Sequence, residues 1–83
     1  MSILPVYVGL DYHDDSVRDC VLSLEGDALV NRDVPNSPGL VEELVLCHGV
    51  PRGVSIEACC GAVDFATKLT EITGWDIRMA HPG

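Results

Sequence analysis

The sequence predicts an α/β protein built on a single mixed β-sheet, and three observations lead to this fold class. The N-terminal part of the chain alternates apolar and polar residues with the period of two that is typical of strands. Two later segments repeat apolar residues at helical spacing, and each is followed by a short strand-like run. Strands joined by tight turns pair antiparallel, whereas strands joined through a helix pair in parallel, so the sheet is expected to be mixed.

Three N-terminal strands are predicted over Pro5–Asp11, Val17–Glu25 and Ala28–Val34. A polar turn separates the first two, and the turn signal Gly26-Asp27 separates the second from the third, so the three strands are expected to form an antiparallel meander. Alternation assigns one face of the first strand to Val6, Val8 and Leu10, and one face of the second to Cys20, Leu22 and Leu24.

The first helix is predicted to begin at the pair Ser37-Pro38. Ser37 can accept a hydrogen bond as N-cap, and Pro38 suits the first helical position, where a missing N–H costs nothing. Gly49 is predicted to end the helix in a left-handed conformation. The apolar residues that recur at helical spacing are Leu40, Val41, Leu44, Val45 and Cys47.

The C-terminal part predicts a strand over Gly53–Ala58, a helix between Gly61 and Gly74, and a last strand over Trp75–Ala80 that Trp75 anchors in the core. The apolar stripe of this helix is Ala62, Phe65, Ala66, Leu69 and Ile72. The order of elements is therefore β-β-β-α-β-α-β. It corresponds to the N-terminal half of a ribonuclease H-like fold, in which the first strand pairs with the fourth.

Length and charge limit what the chain can do alone. Its 83 residues suffice for one domain, residues 1–83. The 13 acidic and 5 basic residues give a net charge of −8, which is unfavourable for nucleic-acid binding because such binding needs a basic surface. The apolar start has no basic segment and ends at Asp11, so it predicts neither a signal peptide nor a membrane span. We therefore expect a cytoplasmic protein with no membrane contact.

Four cysteines are present, and none has the C-x-x-C spacing of a zinc site. We expect them to be reduced and mostly buried, as small apolar residues of a cytosolic protein. They are Cys20, Cys47, Cys59 and Cys60.

Two acidic residues stand at positions that favour metal chemistry. Asp11 ends the first strand and Glu57 lies at the end of the fourth. If these strands are parallel neighbours, both carboxylates reach the carboxyl edge of the sheet, where α/β proteins bind ligands. Two adjacent carboxylates repel each other unless a cation lies between them, and oxygen ligands suit Mg²⁺ or Mn²⁺. The same positions also suit turn-formers and helix caps, and that interpretation stays open.

His13 follows Asp11 by two residues and allows two interpretations. It could contact a phosphate or a metal ion at the same edge, or it could be a solvated loop histidine. Asp14 and Asp15 likewise either extend an acidic site or form a solvated turn.

Several motifs resemble one enzyme family. The run Tyr7-Val8-Gly9-Leu10-Asp11 is similar to the G-[IL]-D strand that opens the catalytic domain of DEDD insertion-sequence transposases, a RuvC-like group that includes the Piv-type invertases. The run from Val54 to Ala62, VSIEACCGA, resembles the second block of that family. Asn36, Gly39 and Leu44 resemble its N-x-x-G-x-x-x-x-L helix start, and Gly74-Trp75 and the final Ala-His-Pro-Gly match in order.

The resemblance implies that Asp11 and Glu57 are the first two of four catalytic, metal-binding acids, and that the family cofactor is Mg²⁺ or Mn²⁺. It also implies DNA, and possibly a guide RNA, as partners of full-length members, which cut and join DNA. Tyr12-His13-Asp14 and Cys59-Cys60-Gly61 depart from the commoner family forms. The last two acids have no counterpart here, so we expect a truncated member that is inactive alone and binds nucleic acid weakly.

Two other classes of function remain open at this stage. Actin-like kinases and ATPases also begin with a strand that ends in Gly-x-Asp, but their phosphate-binding loop requires small residues, whereas the residues here are Tyr12, His13, Asp14 and Asp15. A non-enzymatic interaction domain is the third class, since an exposed sheet edge after Ala80 would favour association, including with a second copy.

Overall fold

The computed structural model describes residues 3–81 and shows a mixed five-stranded sheet with two helices. The strands are β1 (Pro5–Tyr12), β2 (Ser16–Ser23), β3 (Ala28–Pro35), β4 (Val50–Glu57) and β5 (Ile77–Ala80), and the helices are α1 (Pro38–Leu46) and α2 (Ala62–Thr73). The strand order across the sheet is β3-β2-β1-β4-β5. β1, β2 and β3 pair antiparallel, while β4 runs parallel to both β1 and β5. The predicted meander and the pairing of the first strand with the fourth are confirmed.

Both helices contact each other and pack on one face of the sheet. Each central strand contributes alternate residues to the core, as the period of two predicts. The buried apolar residues of the strands are Val6, Val8, Leu10, Val17, Val21, Val54 and Ile56, and those of the helices are Val41, Val45, Ala62, Phe65, Ala66 and Leu69. Among residues 3–81 no element covers the opposite face, which we call the open face.

The helix boundaries follow local chemistry. The Ser37 hydroxyl accepts a hydrogen bond from the Leu40 amide at 3.4 Å, and Pro38 is the first residue of α1, as predicted. Gly49 does not have the predicted left-handed conformation. It is glycine because the backbone of Leu4 and the side chain of Val6 lie so close that a Cβ would clash with both.

Three strand assignments differ from the sequence-based ones. In β2 the core face is the one that carries Val17, Asp19 and Val21, whereas Leu24 lies beyond the strand and is exposed. β4 begins at Val50, because a register shift opposite Val6 and Tyr7 accommodates Pro51 in the strand. β5 begins only at Ile77, so Trp75 packs against the core from the loop before it.

The cysteines are free, as expected, but they are not mostly buried. Cys20 is half-buried and the other three are exposed. Cys47 lies at the end of α1, and Cys59 and Cys60 lie in the turn between β4 and α2, where the chain passes over the surface.

Candidate functional site

The parallel pairing of β1 and β4 brings Asp11 and Glu57 together. The last paired residues of the two strands are Leu10 and Ile56, and the two acids follow them by one residue each. Leu10 and Ile56 are buried under the helices. Successive side chains of a strand point to opposite faces, so both carboxylates project from the open face at the carboxyl end of the strands.

The two acids line the same open cleft, which has a volume of about 440 Å³. The Asp11 side chain is about half-exposed and Glu57 is exposed, so both carboxylates are accessible to a ligand. The other residues of the cleft are Gly9, Leu10, Arg18, Cys20, Asn31, Ser55, Ala80 and His81. Gly9, Cys20 and Ser55 are small residues, and they leave the space that the cleft occupies between the larger residues around it.

Arg18 is the charged member of the cleft that the sequence analysis missed. It lies directly opposite Asp11 in the β1–β2 ladder, and its Nη1 is 3.2 Å from Oδ1 of Asp33 on β3. A row of charged side chains therefore crosses the open face, with the positive charge of Arg18 between Asp33 on one side and the two acids Asp11 and Glu57 on the other. Strand alternation puts Arg18 on the same face of β2 as Cys20, but only the register shows that this is the open face and that Arg18 neighbours Asp11.

His13 contacts Asp11 but does not line the cleft. Its Nε2 lies 3.3 Å from Oδ2 of Asp11, and both side chains are about half-exposed. An ion pair with this exposure contributes little to stability. Asp14 and Asp15 are exposed, and their backbone carbonyls accept hydrogen bonds from Asn36.

The donor set suits a hard cation only in part. Carboxylate oxygens are the ligands that Mg²⁺ and Mn²⁺ prefer, and the cleft supplies two of them. Within residues 3–81 no group of three or more His, Cys, Asp or Glu side chains is arranged to hold a metal ion. A cation at Asp11 and Glu57 would therefore complete its coordination with water or with groups from another molecule.

Asp19 is a second unusual acid, and it lies outside the cleft. Its side chain is fully buried on the helix-covered face of β2, and neither carboxyl oxygen has a hydrogen-bond partner among the described residues. Burial, with a smaller contribution from the negative charge of Asp33, raises the pKa of Asp19 from 3.8 to about 7. The sequence analysis missed this group, because alternation does not say which face of β2 the helices cover.

No protein-family model matches the chain, and no curated protein matches it. The resemblance to transposases therefore depends on the motifs of the sequence and on where the structure places their residues. No helix within the described residues is long and apolar enough to cross a membrane.

Proposed function

We propose that this chain is part of a ribonuclease H-like catalytic domain of a DEDD-type DNA transposase, and that Asp11 and Glu57 are two of its metal-binding acids. The observation that carries the proposal is the shared position of both carboxylates in one cleft at the carboxyl ends of two parallel strands. The order of elements and the parallel pairing of the first strand with the fourth also support it, because this fold requires both.

The chemistry of the two carboxylates fits this role. When Mg²⁺ or Mn²⁺ is bound, it supplies a positive charge that stabilises the attacking and leaving oxygens of a phosphodiester displacement. Asp11 and Glu57 provide two anionic oxygen ligands on a rigid sheet, so little conformational entropy is lost when they bind a cation. Arg18 lies beside Asp11 and offsets part of the repulsion between the two acids.

These 83 residues are not expected to cut DNA by themselves. They contain two of the four acids of the family quartet, and metal affinity falls steeply when ligands are missing. The net charge of −8 also opposes DNA binding, so the basic surface that contacts DNA, or a guide RNA, would belong to another part of the full-length enzyme. A cytoplasmic location follows from the same proposal.

A Mn²⁺ titration monitored by NMR tests the proposal. Bound Mn²⁺ broadens the amide signals near it, and we expect broadening centred on Asp11 and Glu57. Asp11→Asn and Glu57→Gln remove one negative ligand each, so each should weaken binding, and the double variant should abolish the localised effect. Asp27→Asn and Glu43→Gln are matched controls, because both acids are exposed and lie outside the cleft.

An absence of broadening in the wild type would contradict the proposal, and so would two patterns of broadening. One is broadening that is spread evenly over all acidic residues, because this indicates only the general attraction of a cation to a protein with a net charge of −8. The other is localised broadening at the cleft that persists in the double variant.

A further inference from the structure

The β1–β4 ladder ends just before the two acids of the cleft. Leu10 and Ile56 are the last paired residues, so that pairing does not extend to Asp11 and Glu57. The two carboxylates repel each other at short range, and this repulsion acts to separate the strand ends. Within the sheet Asp11 pairs with Arg18 of β2 and Glu57 with Ala80 of β5, so contacts outside the β1–β4 ladder connect these two strand ends directly.

Tyr12, the residue after Asp11, makes this connection. Its ring centroid lies 5.4 Å from that of Phe65 on α2. The same ring lies so close to Gly61 that a Cβ there would be 2.8 Å from it. The Cys59 thiol also donates to the Tyr12 carbonyl oxygen at 3.6 Å. Tyr12 thus contacts both the turn that follows Glu57 and the helix after that turn.

Asn36, at the junction of β3 and α1, holds Tyr12 and the turn that follows it. Its side-chain amide nitrogen lies 3.0 Å from the Tyr12 hydroxyl, 3.2 Å from the His13 carbonyl and 2.9 Å from the Asp14 carbonyl, and its two N–H groups donate to these three acceptors. Its backbone N–H also donates to the Asp15 carbonyl at 3.4 Å. One residue therefore orients the Tyr12 ring and holds the β1–β2 turn, which is closed by the hydrogen bond from the His13 N–H to the Ser16 carbonyl at 2.8 Å.

We propose that Asn36, acting through Tyr12, is a positioning residue that holds the ends of β1 and β4 together so that Asp11 and Glu57 can share one cation. This inference rests on the proposed function for its ligand, but the contacts themselves do not depend on it. Asn36 does not line the cleft, so it would not be a ligand of a cation held by Asp11 and Glu57. It acts by setting the separation between Asp11 and Glu57, which do not pair with each other in the β1–β4 ladder.

The test compares three variants of the whole chain. Asn36→Ala removes all the side-chain bonds, and Tyr12→Phe removes only the hydroxyl while keeping the ring on Phe65 and Gly61. Ser23→Ala is the matched control, because the Ser23 hydroxyl accepts one turn hydrogen bond, from the Asp27 amide at 3.1 Å. It lies at the opposite end of the sheet, where Ser23 pairs with Val6.

Mn²⁺ affinity at the cleft is measured for each variant together with the midpoint of thermal unfolding. Asn36→Ala is expected to weaken the affinity by about tenfold or more, the usual effect of removing a group that orients a metal ligand. Tyr12→Phe should weaken it less, and Ser23→Ala should lower the unfolding midpoint without changing the affinity. Unchanged affinity in Asn36→Ala, or an equal loss in Ser23→Ala, would overturn the inference.

A metal-free measurement separates this inference from the proposed function. The nuclear Overhauser effect between the Tyr12 ring and the Gly61 α-protons reports the contact between the two strand ends. It should weaken in Asn36→Ala and persist in Ser23→Ala. If the wild type binds no Mn²⁺, the proposed function fails, and the contact between the Tyr12 ring and Gly61 then decides the inference. Loss of this contact in Asn36→Ala supports the positioning role of Asn36. Full retention of the contact refutes that role.

Discussion

Replacing Asp19 with asparagine is expected to stabilise the protein at neutral pH and to change its stability little near about pH 4. The reason is the fully buried carboxyl group, whose pKa in the folded protein is about 7 against 3.8 for the free side chain. Below a pH of 3.8 the group is protonated in both the folded and the unfolded state, so folding does not bury a negative charge or change the protonation of Asp19. Asparagine has nearly the same shape but carries no charge at any pH.

The sign of the effect follows from proton binding. Between 3.8 and about 7 the unfolded chain releases the Asp19 proton while the folded protein keeps it, so the free energy of unfolding falls as the pH rises. Above about pH 7, the pKa of Asp19 in the folded protein, the carboxyl group is ionised in both states and the free energy of unfolding falls no further on its account. A difference between 3.8 and about 7 corresponds to about 4 kcal/mol, at about 1.4 kcal/mol per pH unit. A domain of 83 residues has a total stability of only about 4–12 kcal/mol, so this loss is large.

Urea unfolding followed by circular dichroism measures this effect. The free energy of unfolding is determined from about pH 4 to about pH 8 for the wild type and for Asp19→Asn, and the difference between them is plotted against pH. Only this difference is informative, because acidification also reduces the net charge of −8 in both proteins. Asp27→Asn is the control, since Asp27 is exposed in the β2–β3 turn and its removal should give a flat difference.

The expected difference rises in favour of Asp19→Asn as the pH increases and levels off above about pH 7. A flat difference would show that Asp19 titrates normally in the folded protein. A difference that grows towards low pH would show that its carboxylate is stabilised by a partner. Either outcome would refute the argument that burial without hydrogen bonds raises its pKa.

Two further predictions concern packing, and thermal or urea unfolding checks both. Gly61→Ala should destabilise the protein by about 2–4 kcal/mol, because Gly61 has a φ of +88° and its new methyl group would press on the Tyr12 ring. Gly26→Ala should lower the stability by only about 1–2 kcal/mol, since Gly26 has a φ of +95° but open space around it. Equal losses of stability in Gly61→Ala and Gly26→Ala would exclude the contact between residue 61 and Tyr12. Leu69→Ala, at a fully buried site, should cost about 2–5 kcal/mol. Ile72→Ala in the same helix should cost under about 1 kcal/mol, because Ile72 is 51% exposed, and a similar loss at both sites would contradict the assigned core.

Much of the fold could be predicted from the sequence because it depends on local patterns. Alternation in β1, the Ser37-Pro38 start of α1 and the glycine turns each act over a few residues, and together they define the order of elements. The helix between β3 and β4 returns the chain to the end of the sheet where β3 began, so β4 runs in the direction of β3, which is also the direction of β1. This reasoning was enough to predict that Asp11 and Glu57 would lie at one edge of the sheet.

The inward face of β2 could not be predicted in the same way. Residues 17–24 offer two apolar faces, one with Val17 and Val21 and the other with Cys20 and Leu22. Each face also carries one charged residue, Asp19 beside Val17 and Val21 and Arg18 beside Cys20 and Leu22, so alternation does not choose between them. The helices nevertheless cover the face with Asp19, since side chains directly opposite in a ladder share a face: Val8 pairs with Val21 and Leu10 with Asp19, and both β1 residues are buried.

The sequence by itself determined the elements, their order and the position of two acids at the carboxyl ends of β1 and β4. The tertiary structure decided which residues surround those acids: Arg18 opposite Asp11, the Tyr12 ring over Gly61, and the Asn36 amide bound to residues more than 20 positions earlier in the chain. Periodicity and turn chemistry act within one or two turns of the chain. Burial and hydrogen bonding between distant segments depend on how whole elements pack, and no local pattern encodes that.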